Sequence, residues 1–207
     1  MIGIFGGTFD PIHYGHLRSA LEVKEVFGLA KLLLIPSAQP PHRRQPEASA
    51  TQRLQMLELA VSNHPELCVD ARELAHDGPS YMVDTLASLS EDYPQESLLL
   101  FIGSDAFKHL THWHQWQRLL DLAHIIVLTR PGTEIDTLDA FFKQRQCQQL
   151  SELASTRAGK LYFQQVTPLD ISATAIRQQI INQQNPGFLL PDMVLAYIKQ
   201  HQLYQRH

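Results

Sequence analysis

The sequence predicts an α/β fold, a doubly wound parallel sheet with helices on both faces, and three observations carry that expectation. Short apolar runs recur that are continuous rather than alternating, each stops at glycine, proline or a polar turn, and stretches of helical apolar spacing lie between them. Strands buried on both faces and joined by helices read this way.

Met1 to Phe5 is the first such run, and it ends at Gly6-Gly7. From His16 to Phe27 the residues Leu17, Ala20, Leu21, Val23 and Phe27 recur at helical spacing, with Gly28 as a C-terminal stop. Lys31 to Ile35 is a second strand, ended by Pro36. Pro36 to Ala50 holds four prolines and two adjacent arginines without apolar period, which predicts a long loop. Thr51 to Ser62 reads as a helix, Leu67 to Asp70 as a short strand, and Ser80 to Ser90 as a helix with Ser80 at its cap. Ser97 to Ile102, His124 to Leu128 and Leu161 to Val166 complete six strands. Helices are expected near 104–120, 135–150, 173–184 and 191–202. The Gln/His-rich C-terminal tail reads as surface.

At 207 residues, 44% hydrophobic and 18% charged, the chain suits one domain spanning 1–207, with neither a membrane span nor a signal peptide and hence an expected place in the cytoplasm. A net charge of −4 argues against a broad nucleic-acid footprint, so any phosphate site must be local. Cys68 and Cys147 stand far apart, which supports neither a disulfide framework nor a cysteine-based metal site.

The first loop reads Gly6-Gly7-Thr8-Phe9-Asp10-Pro11-Ile12-His13-Tyr14-Gly15-His16. It follows the first strand and opens the first helix, which in a Rossmann-like sheet is where ligands bind. It lacks both the Gly-Lys-Ser/Thr of a Walker loop and the Gly-x-Gly-x-x-Gly dinucleotide fingerprint. His13 and His16, three apart, project to one side of a helix start and can donate to one phosphate. A His-x-x-His pair on its own is more often a local cap or a surface pair. The glycines, Asp10 and Pro11 beside it turn that reading around. Near the other end, Ser172 is a natural helix cap, Thr174 adds a hydroxyl, and Arg177 lies three residues on; together they suit a triphosphate tail, although such a segment alone is an ordinary capped helix. His109, His112 and His114 lie within six residues, but with no further ligand in sight they read as a polar segment around Trp113 and Trp116 and not as a metal site.

These two segments, with Pro40-Pro41-His42-Arg43, Ser80-Tyr81 and Thr85-Leu86, Ile102 to Asp105, Trp113-x-x-Trp116 and Thr129 to Gly132, resemble the bacterial nicotinate-nucleotide adenylyltransferases of the His-x-Gly-His superfamily over nearly the whole chain. The resemblance implies transfer of AMP from ATP to nicotinate mononucleotide, giving deamido-NAD and pyrophosphate by direct in-line attack, with Mg²⁺ carried on the ATP phosphates and no protein metal site. It implies His16, His13 and Arg177 as catalytic; Gly6, Gly7, Thr8, Phe9, Gly103, Asp105, Ser172 and Thr174 with those three on ATP; and Asp10, Arg43, Tyr81, Thr85, Asp105, Trp113 and Arg130 on the mononucleotide. Arg43 stands where lysine is common and Ala173 where serine is. His-x-Gly-His fixes the chemistry more than the acceptor, so a pantetheine-phosphate adenylyltransferase, a cytidylyltransferase and a non-catalytic nucleotide sensor stay open at this point, as does homo-oligomerisation.

Overall fold

The computed structural model describes residues 1–39, 45–75, 78–130 and 138–205. Six strands form one sheet: β1 (Ile2–Gly7), β2 (Lys31–Pro36), β3 (Leu67–Val69), β4 (Leu98–Gly103), β5 (His124–Thr129) and β6 (Leu161–Gln165). Their order across the sheet is β3-β2-β1-β4-β5-β6 and every pairing is parallel. The chain leaves β1 to one side and returns through β4 on the other, so the switch point of a Rossmann-type sheet lies between these two strands. Phe5 pairs with Phe101 there, and the carboxyl ends of both strands open on one edge.

Alternation along each strand divides the core into two layers. Phe5, Leu32, Leu34, Leu99, Phe101, Ile126 and Leu128 face α1 (Tyr14–Val26), α2 (Ala50–Val61) and, from further along the chain, the helices near the C-terminus. Ile2, Ile4, Leu33, Leu98, Leu100, Ile125 and Val127 face α3 (Met82–Asp92), α4 (Ser104–Lys108), α5 (Trp116–Leu122) and α6 (Ala140–Lys143). Behind the first layer lie α7 (Ser151–Ala154), α8 (Ala173–Ile181) and α9 (Asp192–Gln200). Burial on both faces is what makes the strands read as unbroken apolar runs.

Several expectations change at element ends. The first helix begins at Tyr14, two residues early, so His13 is its N-cap and His16 lies in its first turn. Gly28 follows the helix at φ +55°, as a stop should. Ser80 does not cap α3; Tyr81 holds that position, and the Ser80 hydroxyl accepts from the Ala38 and Gln39 amides instead. The expected helix 104–120 is broken into α4, a 3-10 turn at Leu110–His112 and α5, with Gln115 left-handed before α5. The helix expected at 135–150 is only α6, and its first residues lie outside those described. The tail is not all surface: Tyr204 is buried.

Arg53 on α2 ties the loop ends together. It is 1% exposed, and its three donors reach carbonyls on separate segments: Nη1 to Thr8 at 2.7 Å, Nη2 to Ala38 at 3.1 Å and Nε to Ala48 at 3.3 Å. Burial lowers its pKa, and the negative charges of Asp10 and Glu73 offset this. Carbonyls just past strand ends have no sheet partner, and a buried one left unpaired is costly. Arg53→Met is therefore expected to destabilise the fold by roughly 3 to 5 kcal/mol, the range seen when a buried charged partner is removed. Urea unfolding measures it, and a loss under about 1 kcal/mol would show that the loops hold without this residue.

Candidate active site at the switch point

The first loop leaves β1 and turns back over the sheet edge before α1 begins. Phe9 takes φ +49° and is buried, so the loop is anchored by a ring inside the core. A Cβ on Gly7 would come within 2.8 Å of that ring, and one on Gly6 within 2.7 Å of the Met82 methyl at the start of α3. Small residues there let three segments converge.

His13 is 4% exposed and stacks on His16, with ring centroids 3.7 Å apart and planes 25° off parallel. A Cβ at residue 15 would lie 3.0 Å from the His13 ring and 3.4 Å from the Ile171 carbonyl. Gly15 thus lets the imidazole fold back over the helix start and brings the His-x-Gly-His turn against the segment before α8. Burial pushes the His13 pKa down to about 4, so this imidazole is neutral at physiological pH. Its Nδ1 is buried and has no hydrogen-bond partner among the described residues. Phe9 meets His16 edge-on at 5.2 Å.

Ser172 caps α8, its hydroxyl accepting from the Ala175 amide, and Ser172 and Thr174 are exposed at the helix start. Arg177 reaches back to the first loop. Its Nη1 donates to the Asp10 carbonyl at 2.6 Å and its Nε to Glu47 Oε1 at 3.0 Å.

Asp10 is buried and engaged within the chain. Oδ2 accepts from the Glu47 amide at 2.9 Å, and Oδ1 accepts from the Ala48 amide at 3.2 Å and the Tyr204 hydroxyl at 2.7 Å. Burial and the neighbouring Asp10 charge push the Tyr204 pKa up, so the hydroxyl keeps the proton it donates. The first loop, residues 47–48, α8 and the chain end all meet at this one carboxylate.

Across the switch point, Gly103 caps α4 and a Cβ there would meet nothing within 4 Å, while Asp105 is exposed in the first turn. Thr85 is buried, its hydroxyl donating to Glu73 at 2.7 Å and its amide to the Tyr81 carbonyl at 3.3 Å. Burial raises the Glu73 pKa. The start of α3 has no side-chain cap among the described residues. Tyr81 packs on His114 at 4.4 Å, and Trp113 is half-buried against the second core layer. Trp116 turns away into Phe141 and Phe142.

Sequence-predicted residues from β1, α1, α3, α4 and α8 thus meet along one edge. Arg130 is exposed just past the end of β5 with Asp170 at 3.4 Å, and Arg43 lies outside the described residues. Sequence reasoning missed Arg53, Glu47, Glu73 and Tyr204. A signal existed for Arg53, which shares a helical stripe with Met56, Leu57 and Ala60, where an apolar residue is expected.

The cytidylyltransferase-like family model matches residues 4–179. A protein of Acidithiobacillus ferrooxidans named "Probable nicotinate-nucleotide adenylyltransferase" is 46% identical over 206 residues, covering 98% of this chain and 94% of its own length. One of the same name from Methylococcus capsulatus is 46% identical over 210 residues and covers 100% of both. In structure the chain resembles Plasmodium falciparum nicotinic acid mononucleotide adenylyltransferase complexed with NaAD, at TM-score 0.76 and 18% identity over 98% of this chain and 96% of that one. That likeness shows the shared fold. No helix among the described residues is long and apolar enough to cross a membrane. With a sheet switching between β1 and β4, a His-x-Gly-His turn at that switch and relatives of this similarity over its full length, the chain belongs to the nicotinate-nucleotide adenylyltransferase family, within the cytidylyltransferase-like nucleotidyltransferases.

Proposed function

We propose that this enzyme transfers AMP from ATP to nicotinate mononucleotide, releasing pyrophosphate and giving deamido-NAD, with the triphosphate on the His13, His16 and α8 side of the switch point and the pyridine ring near the start of α3. The observation that carries the reading is the meeting of the His13–His16 stack with the amino end of α8, fixed by the approach of Gly15 to Ile171 and of Arg177 to Asp10. Imidazoles, exposed hydroxyls, helix N–H groups and a guanidinium are donors suited to phosphate oxygens.

In the reaction, an oxygen of the mononucleotide phosphate bonds to the α phosphorus of ATP as the bond to the β-phosphate bridging oxygen breaks. The attacking phosphate is already ionised at neutral pH. The protein's work is to align the two substrates and stabilise charge. His16 donates to the α phosphate as charge grows there and His13 supports it; Arg177, Ser172 and Thr174 hold the leaving pyrophosphate. Among the described residues no group of three or more His, Cys, Asp or Glu side chains could hold a metal ion, so Mg²⁺ would come to the site on the ATP phosphates and would offset their charge there. Gly6, Gly7, Thr8 and Phe9 shape the wall beside ATP, and Gly103 and Asp105 face the sugars.

Both Thr85 donors are taken, by Glu73 and by Tyr81. The nicotinate carboxylate is then best met by the uncapped amino end of α3, with Tyr81 and Trp113 beside the ring. Asp10 acts as the hub of the loop, not as a direct ligand. Arg43 and Arg130 are proposed for the mononucleotide phosphate on charge alone.

Three outcomes test this reading. His16→Ala should keep a native circular dichroism spectrum while kcat falls by about 3 to 4 kcal/mol of transition-state stabilisation, the usual cost of one such donor; an unchanged kcat would remove His16 from the mechanism. Because folding strips a proton from His13, whose pKa drops from 6.5 to about 4, its contribution to stability is fully present above pH 6.5 and is lost as pH falls towards 4, by about 3 kcal/mol. Denaturant melts between pH 7 and 4 should therefore show a shallower slope for His13→Gln than for the native chain, and parallel slopes would mean that His13 titrates normally. Pyrophosphate release with ATP and each acceptor in turn tests the substrate: kcat/KM should favour nicotinate over nicotinamide mononucleotide by about a hundredfold or more, since helix N–H donors meet an NH₂ donor in the amide. Equal values would defeat the acid reading, and turnover only with phosphopantetheine would reassign the acceptor.

A further inference from the structure

We infer that Glu47 is a positioning residue that competes with the triphosphate for Arg177, and so lowers the affinity of the site for ATP and for the departing pyrophosphate. The inference rests on the reading of Arg177 as a phosphate ligand.

A guanidinium offers two edges that carry parallel N–H donors, one through Nε and Nη2 and the other through Nη1 and Nη2. Two of the five N–H donors of Arg177 are in use, one of them on the Nε edge. Glu47 Oε1 takes Nε at 3.0 Å, and the Asp10 carbonyl takes Nη1 at 2.6 Å. A phosphate can grip the Nε–Nη2 edge with both donors only by displacing Glu47, and the carboxylate there also offsets the guanidinium charge towards a phosphate at the other edge. The two partners are not equally easy to displace. The Asp10 carbonyl belongs to a backbone fixed by the Asp10 carboxylate, which holds the Glu47 and Ala48 amides and the Tyr204 hydroxyl. The Glu47 side chain is 41% exposed on a rotatable stem and can turn into water, whereas Arg177 is 19% exposed. Glu47 therefore yields first, and the Nε edge is the one that opens.

The exchange runs in reverse after the reaction. As pyrophosphate leaves, the carboxylate can return to Nε, so the half-buried guanidinium need not be left with an unpaired donor. Holding the loop does not depend on this side chain, because residue 47 contributes its backbone amide to Asp10 whatever its side chain. Glu47 thus differs from Asp10 and Arg53: it acts on a ligand-binding group without carrying the fold.

Isothermal titration of the full-length protein with ATP, with pyrophosphate and with nicotinate mononucleotide, for the native chain, Glu47→Gln, Glu47→Ala, Arg177→Ala and Glu47→Ala/Arg177→Ala, tests the inference. Both Glu47 variants should bind ATP and pyrophosphate more tightly, Glu47→Ala by roughly two- to tenfold, the scale of a partly exposed ion pair, and Glu47→Gln by less, since an amide oxygen still accepts. Nicotinate mononucleotide should bind as before. In the Arg177→Ala background the gain should vanish. Unchanged or weaker ATP binding in Glu47→Ala, while Arg177→Ala still weakens ATP, would overturn the competition alone. A gain that persists without Arg177 would overturn it in favour of plain charge repulsion. ATP binding that is indifferent to Arg177→Ala would instead remove Arg177 from the triphosphate site, and the inference with it.

Discussion

The Asp10 carboxylate and the Arg53 guanidinium set the constraint on which the site depends. A parallel sheet satisfies its backbone only along the strands, and the segments that leave its carboxyl edge carry amides and carbonyls with no partner of their own. Here two charged side chains supply those partners: Asp10 accepts from two amides on the 47–48 segment, and Arg53 donates to carbonyls at Thr8, Ala38 and Ala48. Because residue 48 is held by one at its amide and by the other at its carbonyl, the two halves of the clamp cannot shift independently. Burial makes an unmade bond expensive, and that cost is what gives the loops one arrangement.

The same burial sets the charge of the groups above the clamp. His13 is neutral, so the stacked imidazoles meet as neighbours without the repulsion of two cations, and the proposed phosphate site sets imidazole, hydroxyl and guanidinium donors close together. A chain of net charge −4 can serve a polyanion in this way because donors in one place count for more than overall charge. Restraint is useful at a site that must also release pyrophosphate. A cation shared with a carboxylate binds phosphate less tightly than a free one, and on the proposed role of Arg177 its bond to Glu47 is such a partnership.

Much of this was legible in the sequence because the relevant signals are local. Apolar runs stopped by Gly6-Gly7 and Gly103 located β1 and β4, and the position of the His-x-Gly-His wording after the first strand located the turn. Ser172 read as a cap and is one. What the sequence hid was long-range. The Asp10–Tyr204 bond joins residues 194 apart, and no window spans that distance. The tail looked polar because Gln and His dominate it, although a single tyrosine points inward. Ser80 looked like a cap because serine before a helix usually is one, but Ala38 and Gln39 bring their amides to it from another segment. The stretch from 104 to 120 has apolar residues enough for one helix, yet Leu110, Leu119 and Leu120 must all reach the second core layer, and breaks at 109–115 let them do so.

Thr85 illustrates why a site residue named from resemblance still needs its geometry. A threonine hydroxyl can donate one hydrogen, and Glu73 holds it at 2.7 Å. While Glu73 is ionised, what remains on the oxygen are lone pairs, which would face the lone pairs of a carboxylate. The raised pKa of Glu73 widens the range over which the pair can exchange roles, but at either end of it the bond keeps α3 against the turn at Arg72–Ala75. An acid-selective pocket therefore has its best donors in the backbone at the start of α3, where the N–H groups are fixed by the helix and need no side chain to hold them. On the placement of the nicotinate proposed above, Thr85 and Glu73 serve the pocket by keeping the helix in place.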